Sequence, residues 1–200
     1  MALYYKEDGE QNEQIILFLH GGGVGGWMWD EQVQYFKGKY HCIVPDLPGH
    51  GRSGETDFVS IKDCAFQLIH LLEGKKEDKK IIVVGFSLGA QIAIQMLSQS
   101  LDLIDYAMIN SALVRKVPFG KEMVKPTIKL TYPLIKYRFF SKLQAKQLYI
   151  GPNLFEQYFK DSNRMSLDTL TMVLEENMSF KIPDSYAGVK ASLLITVGEK

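Results

Sequence analysis

The sequence predicts an α/β fold: a mostly parallel, doubly wound sheet that carries a helical insertion. Short apolar strand patterns alternate with amphipathic helical patterns along the first 112 residues, which is typical of parallel strands joined by helices. The alternation stops at residue 113, and only helical patterns follow as far as residue 189. We therefore expect a core made of residues 1–112 and 190–200 and a helical insertion made of residues 113–189.

Size and composition fit this division and argue against several classes of protein. Two hundred residues that are 46% apolar can form one full core and an accessory layer. Lysine plus arginine equal aspartate plus glutamate at 23 each, which argues against nucleic-acid binding by bulk charge. The two cysteines, Cys42 and Cys64, lack the spacing of a zinc site or a disulfide framework. We expect a cytoplasmic protein without a metal or cofactor.

The chain shows no targeting or membrane-spanning pattern. Its first residues lack the basic and apolar stretches of a secretion signal, and no apolar run approaches the roughly 18 residues of a membrane span. We expect a soluble protein with no stable membrane insertion. The sequence leaves the oligomeric state open, a homodimer included.

Each expected element follows from its residue pattern. Aliphatic residues, many of them β-branched, dominate the strands, and apolar residues recur every three or four positions in the helices. Ser60 and Ser166 are the expected N-caps of two helices, and Gly74 is the expected end of the first of these. Strands are expected at 2–5, 15–19, 42–44, 81–84, 104–110 and 191–197, and helices at 27–36, 61–73, 90–97, 134–148, 154–160 and 167–178. Pro126, Pro133 and the run 151–153 are expected to separate the helices of the insertion.

The stretch 81–91 joins a buried strand to a helix through Gly85-x-Ser87-x-Gly89. A strand that turns into a helix within a few residues forces its turn residue into a strained conformation and brings neighbouring segments close together. Side chains at the two glycine positions would then clash, and the Ser87 hydroxyl would be pushed outward, as in a nucleophile elbow. The alternative is an ordinary glycine-rich turn with a surface serine.

A glycine-rich loop, residues 20–26, follows the strand that ends at Leu19. Because most of this loop lacks side chains, its backbone NH groups can point into a cavity, as an oxyanion hole requires. A phosphate-binding loop is disfavoured, since neither a terminal Lys-Ser/Thr pair nor a Gly-x-Gly-x-x-Gly register is present. His20 is expected to fix the shape of the loop by hydrogen bonding and not to act as a general base.

A turn-dense loop, residues 45–54, follows the next strand. Asp46 and His50 are candidates for an acid and a base, but they lie four residues apart in a loop built to turn. We favour a structural role for both, in which their hydrogen bonds hold the loop together.

Three motifs, in this order and at three strand ends, resemble the α/β-hydrolase superfamily. They are His20-Gly21-Gly22-Gly23, Asp46-Leu47-Pro48-Gly49-His50-Gly51-Arg52-Ser53 and Gly85-Phe86-Ser87-Leu88-Gly89. The resemblance covers residues 14–111 and resumes at 191–199. It implies that Ser87 is the nucleophile and that the NH groups of Leu88 and of Gly22, or its neighbour Gly23, form the oxyanion hole.

The same resemblance implies a serine hydrolase that acts on a carboxylic ester, lactone or related small acyl substrate through an acyl-enzyme. Gly23, Trp27 and Phe86 are the candidates for substrate contacts. Serine at position 87 disfavours the branches of the superfamily that need a carboxylate nucleophile. The alternatives are a carbon–carbon bond hydrolase, a lyase of the menaquinone-pathway type, and a hydrolase-like protein that binds a ligand without turnover.

The insertion resembles a cap domain that closes over the crevice and lines an acyl pocket. Between residues 114 and 150 the chain has nine lysines or arginines and one acid, so this part carries a charge of +8 and the rest −8. We favour a solvated basic face. The alternative is attraction of an anionic substrate or an anionic membrane surface.

The last expected strand, 191–197, is followed only by Gly198, Glu199 and Lys200. In the family, the triad acid usually lies a few residues beyond this strand and the histidine follows after one more helix and strand. Glu199 is the only carboxylate nearby, and no histidine occupies the family's position. We favour a fragment of a longer hydrolase in which the last strand has an unpartnered apolar edge, so that the 200 residues alone are nearly inactive and poorly soluble. The alternative is a degenerate member of the family that no longer performs triad chemistry.

Overall fold

The computed structural model describes residues 3–198. Its centre is a six-stranded sheet in the order β1-β3-β2-β4-β5-β6, in which only β1 runs antiparallel to its neighbour. The strands are β1 Tyr5–Asp8, β2 Gln14–Leu19, β3 His41–Pro45, β4 Lys80–Phe86, β5 Tyr106–Asn110 and β6 Ser192–Thr196. The predicted α/β fold with a mostly parallel sheet is confirmed.

Seven α-helices connect and cover the strands. They are α1 Asp30–Phe36, α2 Ile61–Lys76, α3 Leu88–Gln99, α4 Gly120–Thr131, α5 Arg138–Gln147, α6 Phe155–Arg164 and α7 Leu167–Ser179 within the described residues. Short 3₁₀ helices occur at Gly26–Trp29, Gly51–Ser53, Tyr132–Lys136, Pro152–Leu154 and Asp184–Gly188. Both predicted N-caps are present, because the hydroxyl of Ser60 accepts from the Asp63 NH and that of Ser166 from the Thr169 NH.

Strand β2 explains why the sheet has an apolar layer on each face. Ile15, Leu17 and Leu19 are buried in the cluster that includes α2 and α3, whereas Ile16 and Phe18 are buried in a second cluster with Trp29. The alternation follows from the period of two in a strand. A run of consecutive aliphatic residues is therefore buried on both sides, and the sheet is held rigidly between the two layers.

The structure corrects two details of the expected elements. Gly74 does not end the helix that begins after Ser60, because α2 continues to Lys76. The edge strand expected at 2–5 is Tyr5–Asp8, which pairs with β3 from Tyr5 opposite Pro45 to Asp8 opposite Cys42. Residue 2 lies outside the described residues. Strand β1 is short and polar, and such an edge strand lacks the apolar run by which strands are recognised in a sequence.

Helix α4 was not expected, because Pro126 was interpreted as a break between helices. Pro126 lies inside the helix. Proline has no backbone NH, so the hydrogen bond that a regular helix would form from residue 126 to the Glu122 carbonyl is missing. Both residues are exposed, so water can bind that carbonyl, while Val124 on the opposite face is buried. Burial of this apolar face compensates for the missing hydrogen bond.

The four helices from α4 to α7 lie between β5 and β6, within the expected insertion of residues 113–189. Its limits and its role as a cap stay predictions. Strand β6 pairs with β5 and has no second neighbour among residues 3–198. Glu199, the candidate acid, lies outside the described residues. No helix in the described part of the chain combines the length and apolar character needed to cross a bilayer.

Candidate active site

Ser87 occupies the junction between β4 and α3. Its φ of 52° and ψ of −112° lie in a region that residues with a side chain rarely adopt. The Ser87 NH donates to the Asn110 carbonyl at 2.9 Å, and the Ser87 carbonyl accepts from the NH groups of Ala90 and Gln91 at 3.0 and 3.1 Å. The backbone of the serine is therefore held on both sides, and the strained conformation is fixed by the sheet and the helix.

The two glycines of the motif allow the close approach that this junction needs. A Cβ at Gly85 would lie 2.5 Å from the Gly89 carbonyl oxygen and 2.7 Å from the Ala90 Cα. A Cβ at Gly89 would lie 2.6 Å from the Leu19 carbonyl carbon and 2.7 Å from the His20 carbonyl oxygen. These neighbours are backbone atoms and cannot move aside independently of the fold. The sequence-based prediction of clashes at both positions agrees with this geometry.

The glycine-rich loop passes directly beside the serine. A Cβ at Gly21 would lie 3.7 Å from the Ser87 Cβ, and one at Gly22 would lie 3.9 Å from the Leu88 Cβ. Among the hydrogen bonds of residues 3–198, none uses the NH of Gly22 or of Leu88 as donor. Two free backbone donors thus lie on neighbouring segments next to the Ser87 side chain, as an oxyanion hole requires.

His20 ties this loop to the loop after β3. The Leu47 NH donates to His20 Nε2 at 2.9 Å, so Nδ1 carries the proton and donates to the Gly21 carbonyl at 2.7 Å. Burial away from water lowers the pKa of His20 to about 4. The imidazole is neutral at pH 7 with both nitrogens engaged, which agrees with the structural role expected for it.

Asp46 and His50 hold the second loop, as expected. The Asp46 carboxylate accepts from the NH of Gly26 at 2.7 Å and from that of Arg52 at 2.8 Å. His50 is buried and donates from Nδ1 to the Pro48 carbonyl at 2.9 Å. Burial, with the neighbouring His20, lowers the pKa of His50 to about 3.

Neither of the other two histidines bonds to Ser87. His41 Nε2 lies 2.8 Å from a Glu7 carboxylate oxygen, and His70 is exposed beside Glu73 on α2. Within residues 3–198, therefore, no histidine is hydrogen-bonded to the candidate nucleophile.

The three candidate substrate-contact residues have different surroundings. Gly23 has a φ of +78° and open space where a Cβ would stand. The Phe86 ring packs against Gly21, whose Cβ would lie 3.1 Å from it. Trp27 donates its indole NH to Asp161 on α6 at 2.7 Å and lines a cleft of about 330 Å³ whose lining does not include Ser87. A substrate contact by any of the three stays a prediction.

Helix α7 contributes residues that sequence reasoning missed. The Val173 side chain approaches Gly22, with 3.4 Å between its Cγ1 and an added Cβ there, and Thr169 occupies the space that a Cβ at Gly49 would need. These two residues are four apart and so share one helical face. The spacing of four residues was the available signal in the sequence for a shared helical face. It does not identify the part of the fold that this face contacts.

Comparison with known proteins places this geometry in a family. The model of the alpha/beta hydrolase family matches residues 16–195. The chain belongs to the alpha/beta hydrolase family. The solved structures that it resembles include a thermophilic esterase from Thermogutta terrifontis, with a TM-score of 0.72, 20% identity and coverage of 98% of this chain and 74% of the other. The enol-lactonase of Burkholderia xenovorans has a TM-score of 0.78 and 17% identity over 96% of this chain and 76% of the other.

A pimeloyl-[acyl-carrier protein] methyl ester esterase from Vibrio cholerae is 33% identical over 96 residues, which are 48% of this chain and 35% of the relative. The match thus spans about a third of that relative's length. The chain thus has the alpha/beta hydrolase fold, and Ser87 lies on one of its strand-to-helix turns beside the glycine-rich loop.

Proposed function

We propose that this protein is a serine hydrolase that cleaves a carboxylic ester, lactone or related small acyl substrate through an acyl-enzyme on Ser87. The conformation of Ser87 carries the proposal. A non-glycine residue at this φ and ψ costs about 1–3 kcal/mol, and the surrounding main chain enforces it. Such strain is common at functional sites, and here it turns the hydroxyl-bearing side chain toward the glycine-rich loop.

The chemistry follows from the groups around Ser87. Its Oγ attacks the carbonyl carbon and loses its proton to a base, while the carbonyl oxygen becomes an oxyanion. In this proposal the NH groups of Leu88 and Gly22, which donate to no acceptor within residues 3–198, donate to that oxyanion. The alcohol then leaves with a proton, and water attacks the acyl-enzyme to release the acid and restore the serine. None of the histidines within residues 3–198 is hydrogen-bonded to Ser87, so the proposed base is not one of them.

The relatives support this substrate class. Two of the solved structures with this fold are called an esterase and an enol-lactonase, and a curated relative is called a methyl ester esterase. In the proposed enzyme, residues 113–189 act as a cap, since Val173 brings α7 against the glycine-rich loop beside Ser87 and Thr169 brings it against the loop that follows β3.

The test is to trap the acyl-enzyme and to compare two matched serines. Ser111 follows β5 as Ser87 follows β4, it too has a positive φ, and its hydroxyl donates to Asn110 Oδ1 at 2.8 Å. The protein, Ser87→Ala and Ser111→Ala are incubated with p-nitrophenyl acetate, with and without added imidazole as an external base. Peptide mass spectrometry then locates any acetyl group, and p-nitrophenol release gives the rate.

We expect acetylation at Ser87 in the unchanged protein and in Ser111→Ala, with an imidazole-dependent rate that Ser87→Ala lacks. Absence of acetylation at Ser87 in both buffers would exclude the acyl-enzyme. Equal rates for all three proteins would remove Ser87 from the reaction. Saturable binding of the ester without acetylation would favour a ligand-binding protein instead.

A further inference from the structure

One face of α7 contacts four separate parts of the core. Its residues are Thr169, Val173, Glu176 and Asn177, which follow the spacing i, i+4, i+7, i+8. Thr169 packs on the loop that follows β3, and Val173 packs on the glycine-rich loop. Glu176 accepts from the Ile61 NH at 3.0 Å, and Asn177 binds a glutamine side chain on α3. The insertion is thus fixed to the core along this face of α7.

Val173 is the residue that brings this face to the candidate active site. Its side chain is 2% exposed and belongs to the large core cluster that also contains Leu88. A Cβ at Gly22 would lie 3.4 Å from Val173 Cγ1 and 3.8 Å from Leu88 Cδ2. Gly22 therefore faces one side chain of the insertion and one side chain of α3.

Hydrogen bonds hold the neighbours of Gly22 but not Gly22 itself. The Gly21 carbonyl accepts from His20 Nδ1 at 2.7 Å, and the Gly26 NH donates to Asp46 at 2.7 Å. Within residues 3–198, Gly22 neither donates nor accepts a hydrogen bond. A glycine also has no side chain that could anchor it. Packing by the side chains around Gly22 is therefore what restrains it between the two fixed parts of the loop.

We propose that Val173 is a positioning residue, which keeps the Gly22 NH directed at the oxyanion by packing against Gly22. A donor in such a site has to be held within roughly 0.5 Å of its productive position, and a displacement of about 1 Å can cost about a hundredfold in rate. Val173 needs no contact with the reacting atoms for this effect. The inference rests on the proposed function, because it concerns the acylation of Ser87.

Three substitutions separate the packing at Gly22 from general stability. Val173→Ala removes both γ-methyl groups, including the Cγ1 that faces Gly22. Val173→Thr keeps two γ atoms in nearly the same shape but buries a hydroxyl, so it costs stability without opening a gap. Val33→Ala is the matched control, because Val33 is a buried valine on α1 that belongs to the cluster on the other face of the sheet. Val173→Cys, which keeps one γ atom, replaces Val173→Ala if alanine prevents folding.

The test measures acetylation of Ser87 in the full chain and in each variant. The proteins are incubated with increasing concentrations of p-nitrophenyl acetate at one imidazole concentration, and peptide mass spectrometry follows the acetyl group on Ser87. The data give a limiting rate and a half-saturating ester concentration. The oxyanion forms only as the reaction proceeds, so a misplaced donor lowers the limiting rate and leaves ester binding unchanged. Urea unfolding gives the stability of each variant and confirms that it is folded in the assay.

We expect Val173→Ala to lower the limiting rate by about tenfold or more while the half-saturating concentration changes by less than about twofold. Val173→Thr should keep the limiting rate within about threefold of the unchanged protein, although its free energy of unfolding falls. Val33→Ala should also lower the free energy of unfolding, and its limiting rate should stay within about twofold. Val173→Cys should lie between the alanine and threonine variants.

The outcomes distinguish this inference from the proposed function. Absence of Ser87 acetylation in the unchanged protein would overturn the proposed function and this inference with it. If Ser87 is acetylated, an equal limiting rate in Val173→Ala would overturn the inference alone. Equal losses in Val173→Ala and Val173→Thr, or in Val173→Ala and Val33→Ala, would also overturn it, because the rate would then follow stability and not the packing at Gly22.

Discussion

The side-chain amides of Gln91 and Asn177 bind each other: Asn177 Nδ2 donates to Gln91 Oε1 at 2.9 Å. Gln91 Nε2 in turn donates to the Asn177 carbonyl at 3.0 Å and to the Leu113 carbonyl at 2.7 Å. Gln91 is fully buried and lies one helical turn after Ser87. One amide on the helix that follows the candidate nucleophile therefore fastens two parts of the helical insertion, its start at Leu113 and its last α-helix at Asn177.

Replacing this amide should destabilise the protein. Gln91→Met keeps the length of the side chain but removes three hydrogen bonds, at about 0.5–1.5 kcal/mol each. We expect the free energy of unfolding in urea to fall by about 2 kcal/mol or more. Gln99→Met is the matched control, because Gln99 lies on the same helix, is exposed, and donates only to the Lys62 carbonyl. An equal fall in the free energy of unfolding in both variants would show that the Gln91 amide contributes no more to stability than the exposed Gln99 amide does.

Replacing Gly89 and replacing Gly74 by alanine should change the free energy of unfolding in opposite directions. A Cβ at Gly89 would collide with the main chain of Leu19 and His20, so Gly89→Ala should lower the free energy of unfolding by about 2–4 kcal/mol. Gly74 lies in α2, and a Cβ there meets nothing within 4 Å. Gly74→Ala should raise the free energy of unfolding by about 0.5–1 kcal/mol. Urea titration of the two variants checks both; stabilisation by Gly89→Ala would contradict the close approach at the turn.

These glycines also show why the candidate site could be predicted from sequence. The strand, the turn and the helix around Ser87 are contiguous, so the spacing Gly-x-Ser-x-Gly contains the whole steric argument. The contacts that hold the insertion are different. Gln91 and Asn177 are 86 residues apart and Trp27 and Asp161 are 134 apart. A side chain's spacing on its own element does not identify a partner at such a distance.

The missed helix α4 has another cause. Pro126 is a strong helix breaker in a local reading, so the apolar residues around it, Met123, Val124 and Ile128, do not by themselves predict one continuous helix. The helix forms because Val124 becomes buried against another part of the chain, in an environment that the local sequence does not describe.

The strain at Ser87 can be measured with two substitutions at the same position. Ser87→Gly and Ser87→Ala both remove the hydroxyl, but only alanine keeps a Cβ at a φ of 52° and a ψ of −112°. Relief of about 1–3 kcal/mol of strain exceeds the entropy cost of glycine, about 0.5–1 kcal/mol. We expect Ser87→Gly to be the more stable in urea unfolding. At Ser162, inside α6, the order should reverse, and the same order at both sites would mean that Ser87 is not strained.

The two buried histidines predict loss of stability in acid. Burial lowers the pKa of His20 to about 4 and of His50 to about 3, whereas a histidine in the unfolded chain titrates near about 6.5. At a pH between the folded and unfolded pKa values, each of these two histidines binds a proton in the unfolded state and none in the folded state. Unfolding therefore becomes easier as the pH falls from about 6.5 toward about 4, by about 1.4 kcal/mol per pH unit for each histidine, and the full contribution is present above about pH 6.5.

The measurement is urea unfolding as a function of pH for the protein and for His50→Asn, whose amide nitrogen can take over the bond from Nδ1 to the Pro48 carbonyl. The variant should lose about half of the histidine-dependent slope. Carboxylates steepen both curves alike at lower pH. His70→Asn, at an exposed position, is the control and should keep the slope. An unchanged slope in His50→Asn would show that this imidazole takes up a proton in the folded protein.

Strand β6 predicts how the 200-residue chain behaves at high concentration. Within residues 3–198 it pairs only with β5, and two consecutive side chains on its opposite faces, Leu194 and Ile195, are 57% and 66% exposed. Apolar side chains beside unpaired NH and C=O groups favour edge-to-edge association. We expect the sedimentation coefficient to rise with protein concentration.

Ile195→Lys should reduce that rise, because a charge at the edge opposes strand pairing. Tyr35→Lys, at an exposed site on α1, adds the same charge far from β6 along the chain and should leave association unchanged. A chain that stays monomeric at all concentrations, or an equal effect of both lysines, would mean that the β6 edge is not the contact.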